Sequence, residues 1–277
     1  MAENLLDTLR ADCANCFGLC CVALPFTKSA DFPITKAAGD ACVNLGADFR
    51  CGIHDRLRPE GFKGSAVFDC QGAGQQVAQV TFGGVSWLAA PETASAMFAS
   101  LIVMRQLHEM LWYLAQALSY PAATILAGEV RSHLDRINRL TLSAPDDLLR
   151  IDVAAHRGDV AAVLRRASEL VRSGVKRVQG GQRPPKGLRE GGDLIGVDLA
   201  GVDLSGLDLR GAYLIASDLS AARLDRTDLI GADLRDANLA GADLSTTLFL
   251  TQMQVNSARG DAATRLPAAI LRPSHWG

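Results

Sequence analysis

No cysteine follows residue 70 of this 277-residue chain, and no stretch approaches eighteen uninterrupted apolar residues. The second absence argues against a membrane-spanning helix. The N-terminus, MAENLLDTLRADC, has no basic segment leading into an apolar core and a small-residue cleavage site, so no export signal is expected. A cytoplasmic address follows as the expectation, and there thiols stay reduced. Neither sign of charge is in large excess. The net of −2 points to neither polyanion binding nor polyanion mimicry by the chain as a whole. The chain also lacks a recognisable nucleophile–base pair or carboxylate dyad. HEMLW (108–112) has Trp112 where a zincin needs its second histidine, and GAGQQV (72–77) lacks the third glycine of a dinucleotide loop.

What is present begins with the thiols. The seven cysteines are Cys13, Cys16, Cys20, Cys21, Cys42, Cys51 and Cys70, spaced C-x2-C-x3-C-C-x20-C-x8-C-x18-C. An odd number cannot pair completely into internal disulfides. Reduced thiols can pack as small apolar residues, but seven so close together followed by none is hard to obtain from packing alone. A C-x2-C pair brings two sulfurs to one ion from a tight turn, and later cysteines close the shell from other loops. Soft thiolates select zinc or iron–sulfur chemistry over calcium or magnesium. All seven are candidate ligands, with His54 as a further one.

From Pro91 the texture becomes helical. Met97, Leu101, Met104, His108, Leu111, Ala115 and Leu118 form one stripe, which makes His108 a core histidine. A second helix carries Leu126, Val130, Leu134 and Ile137. Ser143-Ala144-Pro145-Asp146 reads as a capped helix start. Asp159 reads as the cap of a further helix with Val160, Val163, Leu164, Ala167, Leu170 and Val171 inward. Residues 173–192, SGVKRVQGGQRPPKGLREGG, are basic and rich in glycine and proline, and read as a linker.

After it, a leucine returns every fifth residue from Leu194 to Leu244, and Phe249 takes the twelfth place. The residue two before each leucine is small or modest, and Asp or Asn usually precedes the leucine. A period of five suits neither a helix nor a simple strand. It suits a square coil, four pentapeptides to a turn, in which leucines stack inside and Asp, Asn and Gly take the corners. Leu219 and Leu229 are expected inside, with Asp218 and Asp228 at the surface. The tail is expected to cover one end through Leu266, Ile270, Leu271 and Trp276.

Residues 193–252 resemble the pentapeptide-repeat family, pattern A(D/N)LXX, whose fold is a right-handed quadrilateral β-helix. Residues 13–70 resemble a bacterial zinc- or iron-chelating family with the pattern CxxCxxxCC. The matching elements are CANCFGLCC, CVNL from Cys42, CGIH from Cys51, RLRP ending at Pro59 and VFDC ending at Cys70. These resemblances imply a multidomain α+β protein. Its parts are a cysteine-rich metal-binding domain (1–90), a helical region (91–173), a basic linker (174–192), a pentapeptide solenoid (193–252) and a C-terminal cap (253–277).

The function expected is metal binding, through zinc, iron or an iron–sulfur cluster, coupled to protein–protein contact on the solenoid faces. No membrane or nucleic-acid partner is expected. The alternative is a metal-dependent enzyme or redox protein that uses the cysteine-rich domain. A third reading comes from the family alone, some of whose members mimic duplex DNA and inhibit DNA gyrase. Ten aspartates against four arginines in 193–249 give the right sign, a net of −6, but three coils are short for such mimicry.

Overall fold

The structure is a computed structural model that describes residues 2–175 and 187–277. Most of the expected linker, 176–186, lies outside the described residues. Two compact units divide the chain, 1–115 with 128–163 and 116–127 with 164–277. The helices are α1 (Ala2–Thr8), α2 (Leu19–Ala23), α3 (Lys63–Val67), α4 (Ala73–Gln75), α5 (Ala94–Ser119), α6 (Ala127–Leu140), α7 (Pro145–Leu149), α8 (Val153–Ser173) and α9 (Gln252–Ser257). None is long and apolar enough to cross a membrane among the described residues.

The first unit opens with loops and short helices. Its loops are tied by isolated antiparallel bridges, Phe26↔Lys36, Ser29↔Phe32 and Leu45↔Cys51. Under them Cys42, Ile53, Leu57 and Phe62 are buried, with Phe26, Phe32 and Ile34 packed against them. The rings of Phe26 and Phe32 stack at 4.3 Å, and both meet Phe62 edge-on. This aromatic core stands in for the regular secondary structure that so loop-rich a segment lacks. The α5 stripe is buried from Met97 to Ala115, with Leu118 half-buried.

Two helix starts differ from expectation. The N-cap of α7 is Ala144, with no side-chain cap, so the Ser143 hydroxyl is not used. α8 begins at Val153, where Asp152 accepts from the Ala155 amide at 3.0 Å. Asp159 therefore falls inside the helix, and it pairs with Arg136 at 2.9 Å. On α8, Leu170 is 37% exposed although its periodicity predicted burial.

In the second unit the repeat stacks with a period of twenty residues. Single parallel bridges join Asp193↔Tyr213, Asp198↔Asp218, Asp203↔Arg223 and Asp208↔Asp228, and the pattern continues to Asp228↔Leu248. Every repeat leucine from Leu194 to Leu244 is buried, as is Phe249. Where Asp or Asn precedes the leucine, its side chain closes the corner. Asp198 Oδ1 accepts from the Ala200 amide at 3.0 Å, and the same bond recurs at Asp203, Asp218, Asp228 and Asp233. An Asx turn of this kind explains why a short acidic side chain occupies the position.

The expected right-handed quadrilateral β-helix, and with it the α+β fold class, is contradicted. Among the described residues there is no β-strand, only helices, turns and isolated bridges. The reason lies in the pentad. The Asx corner takes its start and a left-handed residue its end, as at Ala216 and Ala221 with φ of 54° and 53°. The bridged residue on each side is the one before the leucine, and a single bridged residue per side is too few to make a strand.

The surface placement of Asp228 also fails, because that carboxylate is fully buried. Its Oδ1 accepts from the Ile230 amide at 3.0 Å, Arg210 Nε lies 3.5 Å from its Oδ2, and Ser168 of α8 lies close by. Arg210 also pairs with Asp208, which Arg172 of α8 reaches at 3.2 Å. Burial and the hydrogen bonds act in opposite senses on these acids. Burial raises the Asp228 carboxyl above its ordinary value despite Ser168, Ile230 and Arg210. At Asp208, burial is outweighed by the hydrogen bond and charge of Arg210 with Arg172, and the carboxyl lies below its ordinary value. In the tail, Ile270 and Trp276 are buried, but Leu271 is 57% exposed and Leu266 only half-buried.

Candidate functional site

The cysteines of the first unit are placed by turns. Asp12 caps the short turn Cys13–Asn15 by accepting from the Ala14 amide at 3.1 Å and from Asn15 Nδ2 at 2.7 Å. The chain then reverses at Phe17 and Gly18, both with positive φ. Gly18 is required twice over. Its φ is +63°, and a Cβ there would lie 2.6 Å from Leu45 Cδ1 and 3.1 Å from Phe49 O. The reversal launches α2, which carries Cys20 and Cys21. The Cys42 amide donates to Cys21 O at 2.9 Å, and Cys51 is bridged to Leu45. Cys70 enters from a distant loop. A Cβ on Gly74 would lie 2.9 Å from Cys16 Cβ and 3.6 Å from Cys70 Sγ, so the absence of a side chain lets these two segments approach.

The sulfurs meet in pairs. The Cys16 thiol donates to Cys13 O at 3.5 Å, and Cys20 Sγ lies 3.8 Å from Cys21 Sγ. Cys13 is close enough to Cys20 and Cys70 for their charges to interact, and Cys51 to Cys42 and Cys20. Nearby backbone N–H groups act to lower three of the thiols: Gly18 and Leu19 at Cys16, Ile53 at Cys51, Gly72 and Gly74 at Cys70. Such donors favour thiolate over thiol.

The titration directions follow. Cys16 falls to about 6, first through the neighbouring Cys13 side chain and then through the Gly18 and Leu19 amides. Cys13 is correspondingly pushed well above its ordinary value. Cys20 is raised by its hydrogen bond to Cys21 and by burial. Burial raises Cys51, and it takes Cys70 to about 11.

His54 lies exposed on the turn His54–Arg56 that follows Cys51. Among the described residues, no three His, Cys, Asp or Glu side chains form a group able to hold a metal ion as folded. The donor set suits a thiophilic ion in softness and in its N–H donors, while its sulfurs gather two at a time.

Two residues of this neighbourhood carried no signal in the sequence as site residues. His108 is buried, and its Nδ1 lies 2.7 Å from Gln71 O, next to Cys70. A carbonyl only accepts, so Nδ1 carries the proton. Burial lowers the imidazole to about 4 against 6.5 ordinarily. Because the folded value is depressed, the stability tied to neutral His108 is present above pH 6.5 and is lost as pH falls to about 4. The loss is expected to reach about 3 kcal/mol over that window. Denaturant titrations of the full chain from pH 7 to 4 should show the slope, and His108→Gln, which cannot protonate, should flatten it.

The second is Lys36, which is 7% exposed. Its Nζ donates to Val22 O at 3.0 Å, Ala37 O at 2.9 Å and Asp40 O at 2.8 Å. Burial lowers its pKa, opposed by Cys42, Asp40, Cys21 and Cys20.

The buried leucines, Asx corners and twenty-residue period together define a pentapeptide-repeat protein. The family of pentapeptide repeats matches residues 192–229 and 212–249, in eight copies. The chain is 48% identical over 274 residues to YybG of Bacillus subtilis (strain 168), described as an uncharacterized protein, covering 99% of this chain and 97% of that one. This chain belongs to the same pentapeptide-repeat-bearing family as YybG. A solved structure, HetL from the cyanobacterium Nostoc sp. strain PCC 7120, is a pentapeptide repeat protein involved in heterocyst differentiation regulation. It shows 31% identity over 29% of this chain and 37% of its own length, with a TM-score of 0.15. That score carries no fold over to this chain.

Proposed function

We propose that this pentapeptide-repeat protein binds a soft metal, zinc or iron, through its cysteine-rich unit and acts by contact with another protein through its repeat. The observation that carries the metal half is the meeting of cysteines from distant segments: Cys16 and Cys70 both lie against Gly74, and the Cys42 amide donates to Cys21 O at 2.9 Å beside the 3.8 Å Cys20–Cys21 sulfur pair. Ligation would require these thiols to ionise. Cys13, Cys16, Cys20, Cys21, Cys42, Cys51 and Cys70 are the candidate donors, and they would have to draw together on binding, because no three are gathered as folded among the described residues. A bound zinc would tie these loops together, and an iron–sulfur centre would add electron transfer.

The partner half is supported by the repeat's unequal sides. One is overlaid by α8 through Ser168 and Arg172. The side carrying Asp193, Tyr213 and Asp233 leaves Ile195 55% and Tyr213 51% exposed, an apolar pair rimmed by carboxylates.

Protein purified without oxygen should contain stoichiometric metal, colourless for zinc and brown for an iron–sulfur centre. In the variant carrying Cys13→Ser with Cys16→Ser, metal content should fall and residues 1–90 should be digested earlier in limited proteolysis. Unchanged metal content and digestion would show that these thiols are packing residues.

A further inference from the structure

Consecutive residues of a helix do not ordinarily face each other, yet the sulfurs of Cys20 and Cys21 on α2 lie 3.8 Å apart. Both thiols are free and half-buried. A disulfide holds its sulfurs at about 2.05 Å, so these two would have to close by roughly 1.8 Å. Adjacent Cα atoms are about 3.8 Å apart, short of the roughly 4.4–6.8 Å that disulfides usually span. A bond between these two sulfurs is therefore strained, and strained disulfides are the easily reduced ones. The small ring it closes contains a rigid, planar peptide. Closure must come from the dihedrals flanking that peptide, which are the ones that make α2 helical.

The backbone of α2 carries the neighbouring loop. The Cys42 amide donates to Cys21 O at 2.9 Å, and the Gly39 amide to Val22 O at 2.9 Å. Lys36 Nζ donates to Val22 O at 3.0 Å. Residues 36–42 thus hang on the two carbonyls that directly follow the Cys20–Cys21 peptide. The Cys21 amide donates to Gly18 O at 2.8 Å, across the reversal that launches the helix. With five residues, α2 has few bonds of its own to resist a turned peptide.

We propose that Cys20 and Cys21 form a reversible oxidation site, closing to a disulfide that turns the peptide between them and loosens the loop 36–42. The oxidant is a low-molecular-weight disulfide. One cysteine sulfur gives up its proton and attacks it, forming a mixed disulfide and expelling one thiol. The second sulfur then attacks the mixed disulfide, forming the Cys20–Cys21 bond and expelling the other thiol. Two electrons pass to the oxidant, whose own sulfur–sulfur bond breaks, and the two protons leave on the thiols released. Excess thiol runs both steps backwards. No metal takes part, so the site stands apart from the metal reading above.

The test equilibrates the full chain as purified with mixtures of reduced and oxidised glutathione, alkylates the remaining thiols in denaturant and digests with trypsin. Residues 11–28, ADCANCFGLCCVALPFTK, form one tryptic peptide that holds Cys13, Cys16, Cys20 and Cys21, so fragment masses identify the joined sulfurs. As the oxidised fraction rises, Cys20 and Cys21 should lose alkylation together, their fragment should become lighter by two hydrogens, and excess dithiothreitol should reverse both changes. Hydrogen exchange of the oxidised chain should show the Gly39 and Cys42 amides losing protection, and regaining it on reduction. Cys21→Ser cannot close the ring, so its Cys20 should stop at the mixed disulfide with glutathione while Gly39 stays protected. If Cys20 and Cys21 remain alkylatable at every mixture, or Cys20 joins another cysteine instead, the site is wrong. If the bond forms and the exchange of Gly39 and Cys42 is unchanged, the release of the loop is wrong. Should Cys21→Ser not fold, the mapping and exchange of the wild type decide both points.

Discussion

Leu219→Ala is expected to cost about 2–5 kcal/mol of stability, the range for removing a fully buried leucine from a site that cannot collapse around the void. Leu219 has no exposed surface and sits between buried Leu199 and Leu239 in the twenty-residue period. Its amide donates to Asn238 O at 2.8 Å, and the Leu199 amide donates to Asp218 O at 2.7 Å. The backbone is thus held at its spacing by hydrogen bonds above and below, so neighbouring layers cannot close on a missing side chain. Urea unfolding of the full chain checks the value. A change below about 1 kcal/mol would mean that the layers are loosely packed, since well-packed interiors register even one methylene.

Arg210→Ala is expected to be of similar size, about 3–5 kcal/mol near neutral pH, for an electrostatic reason. Arg210 is nearly buried and stands between Asp208 and fully buried Asp228. Removing it leaves the Asp228 carboxylate with Ser168 and the Ile230 amide but no cation. Asp228 already has a raised folded value, so its protonated form is compatible with the fold. The stability tied to it is present below the ordinary carboxyl range and is lost as pH rises through the folded value. The variant's deficit should therefore shrink as the medium is acidified towards about pH 4. Adding Asp228→Asn to Arg210→Ala should recover part of the loss at pH 7. A strictly additive double variant would show that the two side chains are not coupled.

The repeat interior was legible residue by residue, because leucine at every fifth position has one physical use and each leucine is buried. The class of backbone was not. The period specifies how often the chain returns to the core, but not whether the residues between form a strand. Asx corners and left-handed ends consume the pentad, leaving single bridges. Asp228 was misplaced because its pentad looks like the others; what differs is α8, whose Ser168 is sixty residues away in sequence. The thiols could be grouped from their spacing, whereas the burial of Lys36 could not be read. Nothing in PITK separates a buried lysine from a solvated one, and its burial emerges only when Val22, Ala37 and Asp40 turn their carbonyls towards it.

The far end of the repeat has a consequence for self-association. The carbonyls of a last layer would ordinarily stand ready for the amides of another copy. Here Gln254 Nε2 donates to Leu229 O at 2.7 Å and to Ala232 O at 2.9 Å, while Thr264 Oγ1 donates to Leu239 O at 2.8 Å. The bridges Asn238↔Arg259 and Asp243↔Arg265 occupy two further positions. Side chains and an irregular final turn thereby use up acceptors that a second molecule would need to extend the stack. A repeating chain whose layers are interchangeable is an open template for fibre growth. At this end the tail closes that template within the molecule.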